Sequence, residues 1–176
     1  MVLRVDELGK LGGTPCRHLL PQAGGCGIHS RRPGICRAYE CLWLRGGFRQ
    51  EDRPDRLGAV VDLDPSGGAL HLAIRQAEAG AFDRSPRLRE IAEAHREIVP
   101  VHVTDVDDVM DADRPFRVLL AGGVEQRVAG EAVRIHRDGE LVEERRLSRA
   151  GGLARRLLLS LRRGRLRRLR PGGDAP

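Results

Sequence analysis

The sequence predicts an α+β protein in which a small, irregular cysteine-bearing module precedes antiparallel strands, hairpins and one main helix. Three observations support this class. The middle of the chain alternates apolar and polar residues around turn-forming pairs, which is the pattern of hairpins. Residues 85–99 repeat apolar side chains at helical spacing. The first fifty residues are rich in Gly, Pro, Arg and Cys and follow neither period.

The N-terminal segment holds all four cysteines of the chain. Turn-forming stretches lead into three of them, as GTPC, PQAGGCG and RRPGIC. Only CRAYECLWL, residues 36–44, has a composition suited to a short helix. We therefore expect this segment to be organised by something other than an apolar core.

The middle of the chain predicts two hairpins and a helix. Alternating runs flank Pro65 to Gly68, and a second pair of runs flanks Asp138-Gly139, which is a strong hairpin signal. Between them, residues 85–99 predict the main helix, with Ser85 as its cap and a proline in its first turn. One face of that helix carries Leu88, Ile91, Ala92 and His95. Further strands are predicted at VPVHV and FRVLLAGG.

Charge divides the chain into three predicted parts. Residues 1–50, the metal-binding cysteine-cluster module, carry 8 basic and 3 acidic side chains. Residues 51–147, the α+β region, carry 14 basic and 21 acidic side chains. Residues 148–176, an Arg/Leu-rich tail, carry 9 basic side chains and 1 acidic one. An acidic middle between basic ends argues against a uniformly basic nucleic-acid binder. It allows one end to contact an anionic partner.

The basic tail is predicted to be either helical or disordered. As a helix it would place leucines on one side and arginines on the other, which suits an anionic membrane surface or the phosphates of a nucleic acid. Scarce aromatic residues, 3% of the chain, weaken a role in stacking on single-stranded bases.

The sequence also gives an expectation about location. The N-terminus lacks the apolar region of a signal peptide, and the run LLLSL is far shorter than the roughly 18 apolar residues of a membrane span. We therefore expect no transmembrane segment and a cytoplasmic protein. Since cytoplasmic thiols are normally reduced, clustered cysteines there are typical of metal or redox sites.

The spacing of the cysteines is C-x9-C-x9-C-x4-C. It lacks the short knuckles of a zinc ribbon and the tight C-x2-C runs of a bacterial ferredoxin. Folded-back loops can still bring the thiolates together, and four thiolates suit zinc or an iron–sulfur cluster. The alternatives are that the cysteines are small buried apolar residues, or that they form disulfides in an exported protein.

The segment around these cysteines resembles the YkgJ-type cysteine-cluster family, small bacterial proteins described as zinc- or iron-chelating or as binding an iron–sulfur cluster. The resemblance covers roughly residues 14–45. The matching positions are Gly25-Cys26-Gly27-Ile28, Arg32-Pro33, Cys36-Arg37, Tyr39 and Cys41, with Trp43 as in one subgroup.

The resemblance implies that the metal ligands are Cys16, Cys26, Cys36 and Cys41. Two departures matter. The chain lacks the extra upstream cysteines of many members, and His29 replaces the usual aromatic residue. His29 and His18 are therefore alternative ligands should one cysteine face away.

The functional expectation is a metal-binding protein that holds zinc or an iron–sulfur cluster through four thiolates. One alternative is an iron–sulfur oxidoreductase, and another is an interaction module that uses the basic tail. The sequence contains no Walker loop, no G-x-S-x-G and no H-E-x-x-H. It therefore predicts no catalytic residue, and whether the protein is an enzyme stays open.

Overall fold

The described part of the chain forms a seven-stranded sheet with helices on one face, preceded by the cysteine-bearing segment. The structure is a computed structural model that describes residues 4–10, 12–20, 25–65, 69–106 and 114–146, with residues 153, 154 and 157. Most of the predicted tail and the turn at 66–68 lie outside the described residues. Leu153, Ala154 and Leu157 are helical and exposed.

The strands and helices are named here in chain order. The strands are β1 Leu19–Leu20, β2 Gly25–Cys26, β3 Ala59–Asp64, β4 His71–Gln76, β5 Val101–Asp105, β6 Phe116–Leu119, β7 Val124–Ala129, β8 Ala132–Arg137 and β9 Glu140–Arg146. The α-helices are α1 Gly34–Ala38, α2 Pro54–Leu57, α3 Ala81–Arg84 and α4 Pro86–Arg96. Short 3-10 helices cover Asp6–Leu8, His29–Arg31 and Gln50–Asp52.

The large sheet follows chain order from β3 to β9. The α+β class is confirmed, but the prediction of antiparallel strands is wrong for one pair, since β4 and β5 run parallel. The reason is that α3 and α4 lie between these two strands and carry the chain back across the sheet, as a parallel crossover requires. The sheet is therefore mixed.

Both predicted hairpins are confirmed. Strands β3 and β4 pair antiparallel from Ala59 opposite Gln76 to Asp64 opposite His71. Strands β8 and β9 pair around Asp138 and Gly139, whose φ angles are 52° and 88°. Two successive positive φ angles belong to a tight turn that matches the twist of the flanking strands.

The main helix is confirmed as α4, which ends at Arg96, three residues before the predicted end. Leu88, Ile91 and Ala92 are almost fully buried, as their spacing predicts. The short helix predicted at residues 36–44 is wrong beyond Ala38. There the backbone extends at Tyr39, and the chain is held to the sheet through a hydrogen bond from the Leu42 N–H to the Val61 carbonyl at 3.0 Å.

The apolar core lies between α4 and one face of the sheet. Its buried members begin at Ala59, and the residues before it contribute only partly buried side chains such as Leu42, Phe48 and Leu57. In the described part of residues 1–50, Val5 and Cys41 are the buried apolar residues, and neither belongs to the main cluster. Apolar burial therefore does little to fix the segment that carries the cysteines.

The cap of α4 gives a first testable prediction. Ser85 Oγ accepts a hydrogen bond from the Leu88 N–H at 3.2 Å. We expect Ser85→Ala to lower the free energy of unfolding by about 1 kcal/mol, because a donor of the first turn loses its partner. Ser85→Asp, which keeps an acceptor at that position, should retain most of the stability. Urea unfolding of the two variants measures both effects, and equal losses would contradict the cap.

Candidate functional site

Cys26 lies on β2 of a small two-stranded sheet, and Cys16 lies three residues before its partner strand β1. Leu19 lies opposite Cys26 in the register of this pair. The Leu19 N–H donates to the Cys16 carbonyl at 3.0 Å, and the Gly27 N–H donates to the His18 carbonyl at 2.8 Å. The two cysteines therefore belong to one local structure, and the predicted turn before Cys26 falls on residues 21–24, which lie outside the described residues.

Cys36 lies on α1 and shares a neighbourhood with Cys16. The Cys36 N–H donates to the Pro33 carbonyl at 3.0 Å, so Pro33-Gly34 does form the predicted turn. Burial lowers the pKa of Lys10, whereas the nearby thiols of Cys16 and Cys36 act in the opposite direction. Lys10 is the only lysine of the chain. Its ammonium group is placed to offset negative charge on these two sulfurs.

Cys41 differs from the other three cysteines because it is buried beside the large sheet. Only 4% of it is exposed, whereas Cys16, Cys26 and Cys36 are partly exposed. The neighbouring Leu42 is hydrogen bonded to β3, which fixes the backbone after Cys41. Cys41 therefore sits at the junction between the cysteine-bearing segment and the sheet.

A polar network next to Cys41 was missed by the sequence prediction. The Tyr39 hydroxyl donates to Asp62 Oδ2 at 2.7 Å. Arg75 forms ion pairs with both Asp62 and Asp64. Burial, followed by the hydrogen bond to Asp62, raises the pKa of Tyr39 well above its usual range, so it stays a neutral donor. This network ties α1 to β3 and β4 from the side of the cysteines.

A second anchor joins the end of the segment to the main helix. The side chain of Asp52 is 1% exposed and accepts two hydrogen bonds from Arg87 of α4, both at 2.8 Å. The Arg49 N–H donates to the same carboxylate at 3.1 Å. The hydrogen bonds from Arg87 hold the pKa of Asp52 below its ordinary value, so the pair stays charged.

The two histidines that the sequence offered as alternative ligands both contact arginines. Arg17 Nε lies 3.3 Å from His18 Nε2, and Arg32 Nη1 contacts His29 Nε2. His29 is exposed and His18 is half-buried. A guanidinium beside each ring nitrogen opposes binding of a cation there, which favours the cysteines over the histidines as ligands.

The structure does not assemble a closed metal centre. All four cysteines are free thiols, so the disulfide alternative has no pair in this structure. Among the residues that the structure describes, no three His, Cys, Asp or Glu side chains are grouped so that they could hold a metal ion. The donor chemistry suits a soft metal, but the thiols must approach one another further than they do here.

A pair of stacked histidines lies outside the cysteine segment, and sequence reasoning missed it. His71 on β4 and His102 on β5 have ring centroids 4.0 Å apart at an interplanar angle of 26°. Burial, followed by the charge on His71, lowers the pKa of His102 to about 4. Only the parallel pairing of β4 and β5 could have indicated the contact, and that pairing was not predicted.

The histidine pair gives a prediction about pH. The unfolded chain, in which His102 has its ordinary pKa of 6.5, binds more protons than the folded chain between about pH 4 and pH 6.5. The free energy of unfolding should therefore fall as the pH drops through this window. We expect the contribution of His102 to be about 1 to 2 kcal/mol, less than the full pKa shift implies because the ring is only half buried.

The test compares denaturant unfolding of the protein and its His102→Asn variant from pH 7 to pH 4. The variant should lose less stability across this range than the unmodified chain. If the free energy of unfolding falls equally with pH in the unmodified chain and in His102→Asn, the pH dependence does not come from His102.

Comparison with known proteins finds no relative of this chain. No protein-family model, no curated protein and no solved structure matches the chain. The resemblance to the YkgJ-type family therefore rests on the matched residues alone and stays a prediction. No helix among the described residues is long and apolar enough to span a membrane.

Proposed function

We propose that this protein binds a metal ion, either zinc or the iron of an iron–sulfur cluster, through Cys16, Cys26, Cys36 and Cys41. The observation that carries the proposal is that four free thiols occupy a segment to which apolar burial contributes little. A segment of this kind needs another source of stability, and metal–thiolate bonds supply it in small metal-binding modules.

The local arrangement supports the same ligand set. Cys26 lies on β2 and Cys16 lies just before β1, its partner strand, and Lys10 lies within electrostatic range of Cys16 and Cys36. Cys41 is held at the sheet by its neighbours Tyr39 and Leu42. Metal binding would then draw the partly exposed cysteines toward the buried one, docking the segment on the sheet.

The proposed role of the metal is structural. An iron–sulfur oxidoreductase remains the alternative within the same proposal, because the same four thiolates can ligate a cluster. The predicted contact of the basic tail with nucleic acid or an anionic membrane concerns residues 148–176, nearly all of which lie outside the described residues. It stays a prediction.

The experiment that tests the proposal is metal analysis of protein purified without oxygen, with a visible spectrum of the same sample. A colourless protein with one equivalent of zinc supports the structural site and excludes the redox alternative. A brown protein with iron and sulfide supports the cluster. Protein that folds normally without any metal, and that takes up none when zinc or iron is supplied, would overturn the proposal.

A further inference from the structure

Three arginines form a row across neighbouring strands of the large sheet. Arg117 on β6 lies directly opposite Arg127 on β7, and Arg127 lies directly opposite Arg134 on β8. Side chains paired in this way lie on the same face of the sheet, about 5 Å apart at their Cβ atoms. Like charges at such positions destabilise a sheet unless each is paired, and each of these arginines has a carboxylate partner.

The arginine row borders a cavity of about 340 Å³. Its lining also includes Gln76 and Asp105, the last residues of the parallel strands β4 and β5, which lie on the same face of the sheet as the arginines. Ligands of open sheets commonly bind at the carboxyl ends of parallel strands, and this volume lies within the range of small-molecule sites. Position and size both point to a binding cavity.

The wall formed by Gln76 and Asp105 is fixed by hydrogen bonds. The Gln76 side-chain amide donates to Asp105 Oδ1 at 2.6 Å, and its carbonyl accepts from the Phe82 N–H at 2.8 Å. This wall therefore keeps its shape whether or not a ligand is present.

The carboxylates that now neutralise the row are held mainly at the surface. Arg117 binds Asp83, whose side chain is 52% exposed, and Arg134 contacts Glu144, whose side chain is 48% exposed. Arg127 binds Glu125 at 2.7 Å, and the same carboxylate, which is 21% exposed, lies 3.8 Å from Arg117. Exposed ion pairs contribute little to stability, so a ligand with several charges can replace those of Arg117 with Asp83 and of Arg134 with Glu144.

We propose that this cavity binds a small molecule through a multiply charged oxyanion group, a phosphate or a set of carboxylates, held by Arg117, Arg127 and Arg134. The forked guanidinium group suits both chemistries because it can donate two parallel hydrogen bonds. This site shares no residue with the cysteine segment, so it does not depend on the proposed metal function.

The test uses the full chain and records the arginine Nε–H signals by NMR while inorganic phosphate or citrate is added at constant ionic strength. Binding should shift the signals of the three row arginines and leave that of Arg137 unchanged. Arg137 is a matched control because it is exposed on β8, three residues beyond Arg134. The anion that binds more tightly identifies the phosphate or the carboxylate source.

Three variants sharpen the test. Arg127→Gln should weaken binding at least tenfold, whereas Arg137→Gln should leave it unchanged. Asp83→Asn should tighten binding, because it releases Arg117 from its present partner. The proposal is overturned if neither anion shifts the row signals at millimolar concentration, if Arg137 shifts equally, or if Asp83→Asn weakens binding.

Discussion

Replacing Cys26 and Cys36 with serine together is expected to abolish stoichiometric metal binding. Serine keeps the size of cysteine but offers a hard hydroxyl in place of a soft thiolate, which soft metals bind poorly. Loss of a residue that merely supports a ligand costs about 10- to 100-fold in metal affinity, and loss of two ligands should exceed this. Metal content after gel filtration measures the effect.

The same double variant should loosen the segment before the sheet while sparing the sheet itself. The buried members of the core cluster begin at Ala59, so none of them is a cysteine. We expect limited proteolysis to add cuts within residues 1–40 of the variant and to add none within the strands β3 to β9. His18→Asn and His29→Asn are the matched controls and should both retain the metal. Loss of metal from a histidine variant would assign a ligand to that position instead.

Replacing Arg96 with alanine is expected to lower the free energy of unfolding by about 2 to 4 kcal/mol. Arg96 is 8% exposed, and it donates to the Leu120 and Val124 carbonyls, both at 2.7 Å. These carbonyls flank the turn between β6 and β7, so one side chain joins that turn to α4. Its removal takes the charged donor from the carbonyls of two partly buried residues, of which Val124 still accepts from the Leu120 N–H at 2.8 Å. Loss of hydrogen bonds to a charged group is among the costlier changes in a folded protein.

The control for Arg96 is Arg89→Ala, the same substitution at an exposed position of the same helix. It should change stability by less than about 1 kcal/mol. Arg96→Lys separates charge from geometry, because an ammonium group cannot reproduce the fork that reaches both carbonyls. If Arg96→Ala and Arg89→Ala lower the free energy of unfolding equally in urea, the role of Arg96 in joining α4 to the β6–β7 turn is contradicted.

The sequence predicted those elements that depend on residues close together in the chain. The turn at Asp138-Gly139 and the cap at Ser85 depend on residues within a few positions, and both were found. The parallel pairing of β4 with β5 joins residues about thirty positions apart and depends on how the helices cross the sheet. No local pattern encodes that choice.

The candidate sites also divide into those that lie within one segment and those that join residues distant in sequence. The four cysteines could be named as candidate ligands from the sequence, because they lie in one short segment that resembles the YkgJ-type family. The Tyr39–Asp62–Arg75 network, the His71–His102 stack and the arginine row all join separate strands or segments. Their members become neighbours only through strand register, so composition and periodicity could not reveal them.

X-ray absorption at the edge of the bound metal tests the central claim most directly. The account predicts a first shell of four sulfur atoms, at about 2.3 Å if the metal is zinc. Cys41→Ser should reduce that shell to three sulfurs and show that the buried cysteine is a ligand. A shell containing nitrogen at about 2.0 Å, or protein that holds no metal after reconstitution, would contradict the four-thiolate site.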